Sequence, residues 1–127
     1  MPIEVIIIPS DPREPITLEE APSDTEGEGF ARWCREKVGG YLELHKPRSF
    51  PRSGVLFWIN EDAKSLQLPP NIRATKLALL EPFDFIAGEA VVTGSKGPET
   101  ASCPLDLSAF VAMTEGMMLQ PPGPQDV

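Results

Sequence analysis

GVLFWINEDAKSLQLPPNIRAT, residues 54–75, reads as strand, tight turn, polar loop and helix start. Val55 to Ile59 is an apolar run of strand length. Asn60-Glu61-Asp62 stops it, because short polar side chains favour chain reversal. Pro69-Pro70 breaks any regular element and delivers the backbone to Asn71, a favoured helix N-cap. In the helix that follows, Ala74, Leu77 and Ala78 recur on one face and Arg73 and Lys76 on another. The two reversals gather Asn60, Glu61, Lys64, Asn71, Arg73 and Lys76. Polar groups on loops held by a rigid frame are where sites arise, so these six are the expected ligand-binding residues.

Upstream, Tyr41 to Lys46 alternates and predicts a strand antiparallel to Val55–Ile59, with Leu42 and Leu44 on one face and Tyr41, Glu43 and His45 on the other. Pro47 to Ser53 is a basic loop. Phe30 to Val38 predicts a helix with Phe30, Trp33, Cys34 and Val38 inward, stopped by Gly39-Gly40. IEVIII, residues 3–8, is β-branched at every position but Glu4 and predicts a buried, central strand. Ile16-Thr17-Leu18 predicts a short hairpin partner for it, and Ala21 to Gly29 an acidic loop.

Downstream, Glu81-Pro82 is the expected helix stop, and Phe83 and Phe85 are expected in the core. Glu89–Thr93 predicts a strand and Ser95–Ala101 a loop. Ser102 is the expected cap of a helix over Pro104–Met118, with Leu105, Phe110 and Met113 inward. The order is β-β-α-β-β-α-β-α. Helices and strands that do not strictly alternate predict an α+β fold: a small, mainly antiparallel sheet with helices packed on one face. Residues 1–119 are expected as a single domain and 120–127 as a disordered tail.

Net charge is −8, which argues against a general nucleic-acid-binding surface. Residues 1–30 carry −7, residues 31–76 carry +5 and residues 77–127 carry −6. The central cations either face a small anionic ligand or an acidic partner, or balance acidic neighbours across the fold. No stretch reaches membrane-spanning length and no secretory signal is expected, so a cytoplasmic location in a bacterial cell is the expectation. Cys34 and Cys103 are expected as free thiols. Self-association is left open.

Neither G-x-x-x-x-G-K-S/T nor G-x-G-x-x-G occurs, so no nucleotide cradle and no cofactor is expected. An anion can still meet the free N–H groups of the helix starting near Asn71, beside Arg73, Lys76 and Lys64. One histidine and two cysteines do not make a metal site. No catalytic residue is assigned. The enzymatic alternative is a small hydrolase using His45 with Glu43, Glu61 or Asp62, and Glu43 and Glu89 are the other candidates for a carboxylate pair. Phe50, between two prolines in the basic loop, is either an exposed contact or a core residue.

VGGYLEL (38–44), INEDAKSLQLPPNIRAT (59–75) and DFIAGEAVVTG (84–94) together resemble a family of short proteins carried by bacteriophages, plasmids and their hosts, catalogued as a domain of unknown function (DUF3846). The matching positions are Gly39, Gly40, Tyr41, Asn60, Glu61, Lys64, Leu68, Pro69, Asn71, Asp84, Ile86 and Gly88. Ile72 stands where the family pattern places an arginine, and Arg73 follows it. The resemblance implies no activity. Its mobile-element setting implies a small non-enzymatic binding protein with an anti-defence role, sequestering a phosphorylated small molecule or nucleotide. The alternative is an acidic mimic of nucleic acid that blocks a host protein.

Overall fold

The computed structural model describes residues 2–25, 29–50, 53–80 and 83–119. In β1 (Ile3–Ile8) the side chains alternate between two cores. Ile6 and Ile8 join Phe57, Ile59, Leu77, Val92 and Phe110. Val5 and Ile7 join Phe30, Cys34, Val38 and Val91. A strand apolar at successive positions needs cover on both faces, and the helices divide accordingly. α1 (Gly29–Val38) covers the Val5 face, while α2 (Ile72–Ala78) and α3 (Leu107–Leu119) cover the Ile6 face. The α+β class and the element order stand as expected; the placing of all helices on one face is corrected by this division.

The sheet runs β2 (Thr17–Ala21), β1, β5 (Ala90–Lys96), β4 (Leu56–Asn60), β3 (Leu42–His45), with β6 (Glu99–Ala101) on the far half of β5. Every pairing among the described residues is antiparallel. Ile7 stands opposite Val91, and Val91 opposite Trp58, so three strands bring apolar side chains level on the α1 face. β6 replaces the loop expected over Ser95–Ala101. Its SKGPET stretch has no apolar alternation to announce a hairpin, and the ladder is closed by Lys96 opposite Glu99 around Gly97. The Thr100 N–H also donates to Asp24 Oδ2 at 2.8 Å.

The helix ends follow local chemistry. Gly39 takes φ +83°, and the N–H groups of Gly39 and Gly40 both donate to the Arg35 carbonyl, closing α1 as glycine permits. α3 begins later than expected. Asp106 Oδ2 accepts from the Ala109 N–H at 3.2 Å and is the cap. Ser102 instead accepts from the Glu4 N–H at 2.9 Å, tying residues 102–103 to β1. Gly94 is required by this crossing, since a Cβ there would stand 2.4 Å from the Ser102 carbonyl. On α3, Phe110 and Thr114 are buried, while Met113, expected inward, is exposed.

Phe50 stacks on Phe110 with centroids 5.8 Å apart, which settles its role in the core. Phe83 and Phe85 are corrected in the other direction: Phe83 is 98% exposed and Phe85 39%. The helix stop at Glu81-Pro82, part of the acidic and basic loops (26–28 and 51–52) and the tail from Gln120 lie outside the described residues.

Both thiols are free. Burial pushes Cys34 up to about 12, because the α1 core has nothing to solvate a thiolate. The folded state therefore holds the proton where the unfolded chain releases it. This contribution to stability is intact below the ordinary thiol value of 9.0 and is lost as pH rises from 9 toward 12. Native protein at pH 8.5 should resist iodoacetamide at Cys34 and label fully in denaturant, read by peptide mass spectrometry. Equal labelling rates in the two states would contradict this burial.

Candidate functional site

The six residues expected to form one site do three different things. Asn60, 3% exposed, donates through Nδ2 to the Val38 carbonyl at 3.1 Å and accepts the Asp62 N–H at 2.8 Å. It locks the end of β4 to the end of α1. Asn71, fully buried, donates through Nδ2 to the carbonyls of Ile8 and Gly88, both at 2.9 Å, and caps α2 by accepting the Ala74 N–H at 3.1 Å. Its side chain is internally satisfied. Lys76 reaches the Met117 carbonyl of α3 at 3.5 Å. Asn71 and Lys76 thus hold the fold together and do not face a shared site.

Arg73 stands apart. One of its terminal nitrogens donates to the carbonyls of Pro9 and Asp11, at 2.8 and 3.0 Å, pinning the β1–β2 connection. Burial lowers its pKa, opposed by the carboxylates of Asp11, Glu89 and Glu14. It still carries full charge at neutral pH, as guanidinium groups do. The half-buried guanidinium lies against a groove of about 580 Å³ between the β1–β2 connection and α3. Pro12, Pro15, Ile16, Val111, Met118 and Leu119 form its apolar walls, with Thr114 at the helix. Arg13, Glu14 and Glu115 also line it, and Arg13 is held by Asp11 at 2.9 Å. The volume lies within the usual range for small-molecule pockets.

Asn60, Glu61 and Lys64 border a second, smaller hollow of about 150 Å³, with Glu43, His45, Asp84 and Phe85. Lys64 is paired with Asp84, and its ammonium lies 4.8 Å from the Phe85 ring centroid. The Lys64 hydrogen bond holds the Asp84 carboxyl below its ordinary value, with the Phe85 N–H assisting. His45 Nε2 is buried without a hydrogen-bond partner among the described residues. This cleft unites Glu43, His45 and Glu61, three of the residues that the hydrolase alternative names. Among the described residues, no three His, Cys, Asp or Glu side chains are placed to hold a metal ion. No helix there is long and apolar enough to cross a membrane.

A third hollow of about 480 Å³ lies across Glu14 and Pro15 from the large groove. Burial pushes its Glu89 carboxyl up, and Glu14 adds repulsion.

A family model matches residues 3–115, nearly the whole described chain. The protein belongs to the DUF3846 family, a domain of unknown function. None of the curated proteins and none of the solved structures matches it. The DUF3846-like motifs now have physical meanings. Among the described residues Asn71 accepts only from Ala74 and Thr75 of its own helix, and its backbone N–H donates to the Ile86 carbonyl at 2.7 Å. Gly88 donates to Pro69 at 2.8 Å and receives Asn71 Nδ2. A Cβ on Gly40 would stand 2.9 Å from Asn60 Nδ2. In this DUF3846 chain these motif positions are joints of the frame.

Sequence reasoning did not single out Val111, Thr114, Met118 or Leu119, which wall the groove. One signal was present: LSAFVAMTEGMML is apolar on more faces than a helix with two buried residues needs.

Proposed function

We propose that this protein is a non-enzymatic binding protein that holds a small organic anion in the groove over Arg73. One observation carries the reading: a half-buried guanidinium at a largely apolar groove of about 580 Å³. An apolar ligand body sits against Val111 and Met118, and its phosphate or carboxylate meets Arg73. The fork of N–H donors suits either anion. A nucleotide has both parts and fits such a volume. In the phage and plasmid setting implied by the family resemblance, sequestering a nucleotide signal would be the anti-defence role. Glu14 and Glu115 favour a ligand with one compact anionic group over a polyphosphate, because each added charge meets like charge at the rim.

Native mass spectrometry of protein purified from cells should show a retained small molecule. Thermal melts with nucleoside monophosphates and medium-chain carboxylates give the second measure. A ligand at about a hundred times its Kd stabilises by about 2.7 kcal/mol, a rise of several degrees. Arg73→Lys keeps the charge but loses the fork, and should weaken binding about tenfold. Unchanged affinity in that variant, or no stabilisation by either class, would remove the proposal.

A further inference from the structure

β3 ends the sheet, and among the described residues it pairs with β4 alone. The Glu61 N–H donates to the Tyr41 carbonyl at 2.8 Å, so Tyr41 is in a hydrogen-bonded position toward β4. In an antiparallel ladder such positions alternate. Glu43 and His45 therefore bond toward β4, while Leu42 and Leu44 turn their N–H and C=O groups to the open edge. Tyr41 is 70% and Leu44 47% exposed, so nothing described covers that edge. On the α2 face of the same strand, Glu43 and His45 open into the cleft of about 150 Å³. Its charges are Glu43, Glu61 and Asp84 against Lys64, and Lys64 is already bound to Asp84. Among the described residues, Glu43 and Glu61 have no paired Lys or Arg, and His45 stands beside them.

We propose that the free edge of β3 takes an extended peptide of a partner protein as an added strand, with one Lys or Arg side chain entering this cleft. Strand addition supplies main-chain hydrogen bonds at Leu42 and Leu44, and the cleft reads an alternate side chain. The peptide residue opposite Glu43 occupies a non-hydrogen-bonded pair, where facing side chains come closest. Its cation lies among Glu43, Glu61 and Asp84, and its aliphatic stem lies along Phe85. An acidic residue there would meet like charge. This inference stands independently of any ligand over Arg73.

The test uses the full chain and a fluorescent peptide alternating Thr and Val around one central Lys, read by polarisation. The peptide should bind, and replacing its Lys with Glu should weaken binding about tenfold or more. N-methylation of the two residues flanking the Lys should abolish binding, since their amides face β3. Glu61→Gln changes an exposed side chain with no hydrogen bond among the described residues, and should weaken it about threefold. Arg73→Lys should leave peptide binding unchanged. Equal affinity for Lys and Glu peptides, indifference to N-methylation, or no binding at millimolar concentration would overturn the proposal. So would sedimentation showing a dimer that Leu44→Lys dissociates, because the edge would then belong to a second copy.

Discussion

Asn71→Asp should destabilise this protein by about 3–5 kcal/mol, even though aspartate caps helices as well as asparagine does. The cap itself survives, because a carboxylate oxygen can still accept the Ala74 N–H. The loss lies on the other branch of the side chain. Nδ2 donates to the Ile8 and Gly88 carbonyls, each at 2.9 Å, in a fully buried position. Aspartate offers them an acceptor in place of a donor, takes this hydrogen bond from both carbonyls and buries a charge against them. Asn71→Ala should lose about as much, through the cap and both donors together. Native domains are stable by about 5–15 kcal/mol, so either change removes a large share. Urea unfolding followed by circular dichroism measures this. The aspartate variant also carries an internal sign test. Burial raises its carboxyl pKa above the unfolded value of about 3.9. Its deficit relative to the parent should therefore shrink as pH falls toward that value, when the protonated acid can donate to one carbonyl. A loss below about 1 kcal/mol at neutral pH would show that Asn71 is a cap and nothing more.

Phe110→Ala should lose about 3–5 kcal/mol and release α3 before the sheet. Phe110 is 2% exposed and, with Thr114, is one of the two fully buried residues of α3; Leu107, Val111 and Met117 pack against the same core only partly buried. Its ring stacks on Phe50 and closes the core formed by Phe57, Leu77 and Val92. From α2, Lys76 adds a long contact to the Met117 carbonyl. A helix held by so few buried groups opens locally once the largest is removed. Val111 and Met118 wall the groove over Arg73, so ligand-induced stabilisation should disappear with them. Hydrogen exchange separates this from general loosening: α3 amides should lose protection while those of β1 and β5 keep theirs. Protection that falls uniformly, or a loss under about 1.5 kcal/mol, would mean that α3 is anchored elsewhere.

The parts of the fold readable from residues alone are those set by neighbours a few positions away. IEVIII became a buried interior strand, Asn71 became a cap, Gly39-Gly40 stopped α1, and Ala74, Leu77 and Ala78 turned inward. The errors share one origin. β6 has no apolar pattern of its own and exists because β5 offers it a ladder. Ser102 looked like a cap, but the Glu4 N–H across the sheet claimed it. Phe83 and Phe85 were apolar without an element to carry them inward.

The candidate site divides along the same line. Charge clustering marked Arg73 and Lys64 as interesting, and each does border a hollow. It did not show that they border different ones, that Lys64 is neutralised by Asp84, or that Asn60 and Asn71 spend their hydrogen bonds inside the frame. Local propensity and periodicity determined the elements, because caps, turns and amphipathic faces act within one helical turn or a strand pair. The destination of each polar side chain was decided in three dimensions. The Asn71 amide bonds to a carbonyl 63 positions away, and Arg73 to one 64 away. No short-range pattern encodes such a partner, since it exists only after the sheet has brought distant backbone alongside.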